Sequence, residues 1–243
     1  MAEKLAMLNR IVLIVALALS ATGLGGCADI LTDAVSDMKD SPDRDTPVPK
    51  SFTDDGTPIF AVHYARANQQ YLLWQNGQLV PAQIGKPRYW PTQRAPMGHM
   101  YGTPPVTDPL TGDRYRVERV TNGPPQVSRI TAGGSVPLAI PDVRPLAQIR
   151  PGLSCFSCGC DCYANVYFIP VGGRIFLLSK GYAVQSHLLG LYELRGGRVV
   201  PVIKGHLFAP IFSKDGCTIA YTKISDSGDT PMVENLCRPQ AQP

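Results

Sequence analysis

The residues in this chain best suited to chemistry are thiols. Cys155, Cys158, Cys160 and Cys162 fall within eight positions, and Cys217 and Cys237 follow later. A Cys-x-x-Cys pair such as Cys155 and Cys158 has the spacing of a redox-active dithiol. Four thiols this close together also raise a metal centre. A four-thiolate site needs ligands that converge on a tetrahedron, and two Cys-x-x-Cys knuckles achieve this. Here Cys158, Cys160 and Cys162 are separated by single residues, so an extended chain points all three to one side. An even set of six cysteines in an oxidising compartment favours disulfides, with the connectivity left open. The expectation is therefore oxidised pairs with no metal and no cofactor. Cys217 and Cys237 are expected to tie the C-terminal tail to the last hairpin.

Other chemistry has weaker support. His63, His99, His187 and His206 form no His-Glu-x-x-His motif, and neither a Gly-x-Ser-x-Gly elbow nor a phosphate loop is present. Ser186 and His187 are adjacent, a spacing that does not by itself aim a nucleophile at a base. Asp108, Asp113 and Glu118 surround the turn signal Thr111-Gly112 and read as a polar hairpin leading into a strand at Tyr115-Arg116-Val117. No catalytic residue is assigned. The stretch 85–110 sets Tyr89, Trp90, Met97, His99, Met100 and Tyr101 among Pro and Gly. A long loop holding such side chains either caps the core or forms a contact surface, so these residues are the candidate contact loop.

The elements that must position these residues are short strands. Gly and Pro number 23 each, and they punctuate brief runs of Val, Ile, Leu, Tyr and Phe with no sustained helical period after Ser51. That pattern predicts an all-β domain. Three segments share a strand-turn-strand form: Tyr71–Gln75 through Asn76-Gly77 to Val80-Pro81, Val127–Ile130 through Gly133-Gly134 to Val136-Pro137, and Leu191–Leu194 through Gly196-Gly197 to Val200-Pro201. Asn-Gly and Gly-Gly supply the positive φ angles of two-residue hairpins. Each Val-Pro suggests an outermost strand, because Pro has no N–H to give a central one.

A second hairpin pattern alternates with the first. Phe52-Thr53-Asp54-Asp55-Gly56-Thr57-Pro58-Ile59 matches Phe212-Ser213-Lys214-Asp215-Gly216-Cys217-Thr218-Ile219, and Phe168 to Ile175 is a looser copy with Gly172-Gly173 at its turn. One hairpin of each kind makes a four-stranded unit. The run Ala209-Pro210-Ile211-Phe212-Ser213-Lys214-Asp215-Gly216-Cys217-Thr218-Ile219-Ala220-Tyr221 resembles the repeat of Tol-type periplasmic β-propellers, with Phe in place of Trp and Lys in place of Pro. The resemblance implies an irregular or incomplete β-propeller of four-stranded units. A β-sandwich built from the same hairpins is the alternative.

The N-terminus indicates where such a domain would work. Lys4 and Arg10 precede an apolar run from Ile11 to Ser20, which ends in Leu24-Gly25-Gly26-Cys27. That order is a secretory signal, and the run is too short to span a membrane. The Cys after the small residues resembles the bacterial lipobox, which implies cleavage before Cys27 and its acylation. Ala28 rather than Asp follows Cys27, and in Gram-negative lipoproteins this implies outer-membrane delivery, facing the periplasm. Residues 1–26 are thus the signal peptide. Residues 27–50, rich in Asp, are the lipidated Cys and a disordered tether, and residues 51–243 are the β domain, with a Cys-rich insert at 155–162.

From Ser51 onward Lys and Arg outnumber Asp and Glu, yet no three basic residues adjoin, so a nucleic-acid partner is not expected. The chain reads as a membrane-anchored, non-catalytic binding or scaffold module for another envelope protein or a cell-wall polymer. The alternative is an envelope enzyme, a hydrolase or thiol oxidoreductase, using the propeller face or the Cys cluster.

Overall fold

The computed structural model describes residues 45–62, 70–84, 104–118, 124–148, 165–181 and 184–237, with the backbone alone at 95–96. The fold is all-β, with four antiparallel sheets that follow one another along the chain. The first holds β1 (Pro47–Phe52), β2 (Pro58–Val62), β3 (Gln70–Gln75) and β4 (Gln78–Pro81). β5 (Ala95–Pro96) comes next, and then the second sheet of β6 (Val106–Thr107), β7 (Arg114–Glu118), β8 (Gln126–Thr131) and β9 (Gly134–Leu138). The third holds β10 (Asn165–Val171), β11 (Arg174–Lys180), β12 (Gly190–Arg195) and β13 (Arg198–Lys204), and the fourth β14 (His206–Phe212), β15 (Thr218–Ile224) and β16 (Thr230–Asn235).

Hairpin turns form at Asn76-Gly77 and Gly196-Gly197 where the sequence places them, but the turn between β8 and β9 is Ala132-Gly133, and Gly134 of β9 already pairs with Thr131. Asn76 and Gly77 sit at φ 52° and 80°, the mirror-image turn whose twist matches that of the flanking strands. Asp55-Gly56 and Asp215-Gly216 lie in the tight turns of β1–β2 and β14–β15. Pro81, Pro137 and Pro201 all fall on the outermost strand of their sheet, β4, β9 and β13, and Pro231 does so on β16. A ring without an N–H on each free edge discourages pairing with another chain.

The sheets pack face to face in a row. Val117 and Val127 of the second meet Phe168 and Leu177 of the third. The opposite face of the third, with Phe176, Leu178 and Leu191, packs on Phe212, Ile219 and Tyr221 of the fourth. The far face of the fourth, with Ile211 and Ala220, packs on Phe60, Leu72 and Trp74 of the first. Sheets covered on both sides read as unbroken apolar runs, as in Ile175-Phe176-Leu177-Leu178. The second sheet instead alternates as Arg114-Tyr115-Arg116-Val117-Glu118, with the charged residues exposed. Among the described residues no hydrophobic cluster joins the first and second sheets. The result is an incomplete propeller in which sandwich-like contacts recur at each junction.

The repeat Phe has one role throughout. Phe168, Phe212 and Phe52 each face the sheet that precedes their own in the ring. The first strands of neighbouring sheets also meet, β6 against β10 and β1 against β14. β5 adds to the edge of β10, with Ala95 opposite Phe168 and Pro96 opposite Tyr167. The backbone in the middle of the candidate contact loop is therefore pinned to the third sheet.

One boundary differs from the sequence reading. The tether assigned to residues 27–50 runs into β1, which begins at Pro47. Val48 is only 2% exposed, and the Pro47 carbonyl accepts the Thr222 hydroxyl of β15 at 2.8 Å. The acidic composition of the preceding residues masks a short strand whose burial comes from the last sheet of the chain.

Candidate functional site

The turns joining the first two strands of the second, third and fourth sheets contact one another in series. Asp108 opens the first of these turns and is 1% exposed. Its Oδ1 accepts the N–H of Leu110 at 2.8 Å and of Thr111 at 3.3 Å within its own loop. It also reaches across to the third sheet, where the Gly172 N–H donates to Oδ1 at 3.1 Å and the Gly173 N–H to Oδ2 at 2.7 Å. Gly172 and Gly173 have φ 65° and 74°. Consecutive N–H groups in such a turn point the same way and form a concavity for an anion, and a carboxylate from the neighbouring sheet fills it.

Gly172 touches the third turn as closely. A Cβ built on it would lie 1.9 Å from the Asp215 carbonyl oxygen, so no side chain fits. This explains the looser third copy of the repeat. β10 runs to Val171 and closes with a two-residue turn, whereas Ser213 to Thr218 forms a longer loop. In that loop Asp215 Oδ1 accepts the Ser213 hydroxyl and the Cys217 N–H at 3.0 Å. These bonds, that from Ser213 foremost, hold the Asp215 carboxyl below the usual carboxylate range.

Arg174 follows the Gly-Gly turn and spreads its guanidinium over four partners. Nε and Nη2 hold Glu193 of β12 in a fork at 2.9 and 3.0 Å. Nη1 donates to the Gly216 carbonyl at 3.2 Å and contacts Cys237 Sγ at 3.7 Å, and Nη2 also donates to the Leu236 carbonyl at 3.4 Å. The guanidinium carbon stands 4.7 Å from the Phe176 ring centroid, within cation–π range. Arg195 Nη2 donates at 2.5 Å to Glu193 Oε2, the oxygen that Arg174 Nη2 also binds. Burial alone would raise the Glu193 carboxyl, but hydrogen bonds and charge from Arg174 and Arg195 outweigh it and hold the group below its ordinary value. Cys217 and Cys237 are joined as a disulfide, with the Leu236 N–H donating to the Cys217 carbonyl at 2.7 Å. The tail is tied to the last hairpin as expected.

The carboxylates singled out in the sequence do not converge. Asp108 is committed to four backbone N–H groups, Asp113 pairs with Arg129 at 2.6 Å, and Glu118 stands 3.9 Å from Arg116. His187 lies on an exposed single turn, Ser186–Leu188, and His206 begins β14. Cys27, Cys155, Cys158, Cys160 and Cys162 lie outside the described residues, as do Tyr89, Trp90, Met97, His99, Met100 and Tyr101. Among the described residues no group of three or more His, Cys, Asp or Glu is placed to hold a metal. Sequence reasoning missed Arg174, Glu193 and the clamp made by Asp108. What these groups build is a rigid, charge-paired face where three sheets meet, with a disulfide at its rim. No protein-family model matches the chain, and no curated protein shows significant similarity to it.

Proposed function

We propose that this protein is an envelope lipoprotein, anchored through acylated Cys27, whose incomplete β-propeller-like domain binds another envelope protein or a cell-wall polymer without catalysing a reaction. The observation that carries the reading is the order of Lys4 and Arg10, the apolar run from Ile11 to Ser20 and Leu24-Gly25-Gly26-Cys27. The disulfide between Cys217 and Cys237 supports it, since such bonds persist in exported proteins. The resemblance of Ala209–Tyr221 to Tol-type propeller repeats supports a protein-binding role. Asp108, Asp113 and Glu193 each bind backbone N–H groups or arginines, which favours a scaffold over a hydrolase. Acyl chains at Cys27 contribute about 0.8 kcal/mol per buried methylene, so more than one chain gives lasting attachment.

Cross-linking in intact cells, followed by affinity isolation from the membrane fraction, tests the binding role. The parent protein is expected to carry a discrete cross-linked envelope partner, and the Cys27→Ser variant to lose it along with membrane association. Recovery of the parent free of any cross-linked envelope component contradicts the reading.

A further inference from the structure

We propose that the Cys217–Cys237 bond is a directional thiol-exchange site, attacked at Cys217 with Cys237 leaving as a thiolate held by Arg174. The guanidinium makes the two sulfurs unequal. Its Nε–Nη2 edge is taken up by Glu193, while Nη1 on the other edge is left to the Gly216 carbonyl and Cys237 Sγ, 3.7 Å away. Two guanidiniums, Arg174 and Arg195, share the single carboxylate of Glu193, so the group carries a net positive charge, and Arg174 is its member in contact with Cys237. A cation at that distance stabilises a thiolate, and the sulfur that leaves as the better-stabilised thiolate leaves faster. The Cys217 N–H, by contrast, is bound to the Asp215 carboxylate. Cys217 is half-buried and Cys237 exposed, so the sulfur that leaves is the one open to solvent.

The reaction balances with a dithiol as co-reactant. The thiolate of the dithiol attacks Cys217 Sγ, a new S–S bond forms, the Cys217–Cys237 bond breaks, and its electron pair goes to Cys237. The second thiol of the reductant then displaces Cys217, leaving the reductant as a disulfide and both protein cysteines reduced after two protons are taken up. The inference concerns the domain itself and does not depend on the lipid anchor.

The experiment uses the full chain with free thiols blocked first, glutathione as the monothiol probe, rapid acid quenching, and alkylation of any released thiol before peptide mapping. Glutathione is expected on Cys217 and the alkyl group on Cys237. Arg174→Met should slow opening roughly three- to tenfold, and Arg174→Lys should restore most of the rate. If Arg174 served only to hold the fold, its loss would loosen the rim and speed opening. Glutathione on Cys237, or equally on both residues, overturns the proposal, as does an Arg174→Met variant that opens as fast as the parent or faster. Should Arg174→Met fail to fold, the position of glutathione on the parent protein still decides.

Discussion

The Asp108 carboxylate accepts the Gly173 N–H at 2.7 Å although the two residues belong to different sheets and stand 65 positions apart. A buried carboxylate is normally costly, and here four backbone donors and the turn dipole offset that cost. The second sheet exposes its charged face, and among the described residues it is joined to the third by the junction at Val117 and Val127, by the meeting of β6 and β10, and by this clamp.

Asp108→Ala leaves those N–H groups without their acceptor and should destabilise the domain by about 3 kcal/mol, the scale of unsatisfied buried donors. Urea unfolding should show a lower midpoint with an unchanged slope. A midpoint equal to the parent's would mean that the clamp contributes nothing.

Two glycines at positive φ separate conformational strain from steric exclusion. At Gly77, φ is 80° and a Cβ meets nothing within 4 Å, so Gly77→Ala should cost only about 1 kcal/mol. At Gly172 the same change drives a Cβ into the Asp215 carbonyl, and the two turns must separate. Gly172→Ala should therefore lower the thermal midpoint several times as far. Equal losses in calorimetry would contradict the contact between the turns.

Glu193 should make stability depend on acid. Its folded carboxyl value lies below the unfolded value of 4.5, so its contribution is complete above that value and is lost as pH falls through the folded one. The parent should lose stability on acidification below about pH 4.5 faster than Glu193→Gln, with the gap closing by up to about 1.4 kcal/mol per pH unit. Parallel curves from denaturant titrations across this range would show that the two arginines do not favour the ionised form.

The sequence made the hairpins legible because their signals are local. Asn76-Gly77, Asp55-Gly56 and Asp215-Gly216 fix their turns through backbone angles, and each Val-Pro marks an edge through its missing donor. The site was not legible, because its pairs are set by register. Arg174 meets Glu193 only because Phe176 pairs with Glu193 across β11 and β12, and the connection between these strands carries no turn signal that counts residues. Asp108 reads as an ordinary turn residue until the neighbouring sheet presents two N–H groups to it. The start of β1 was not legible because composition averaged over residues 27–50 hides residues 47–50, part of a strand that pairs with β2 and also contacts β14, β15 and β16.

The central claim is that this propeller-like domain is held at a membrane through Cys27. The most direct measurement is the intact mass of the N-terminal peptide of the mature protein, isolated from membranes. The account predicts a chain that begins at Cys27, with acyl groups on its sulfur and its new amino group. A mature N-terminus at any other residue, or an unmodified Cys27 thiol, would contradict it.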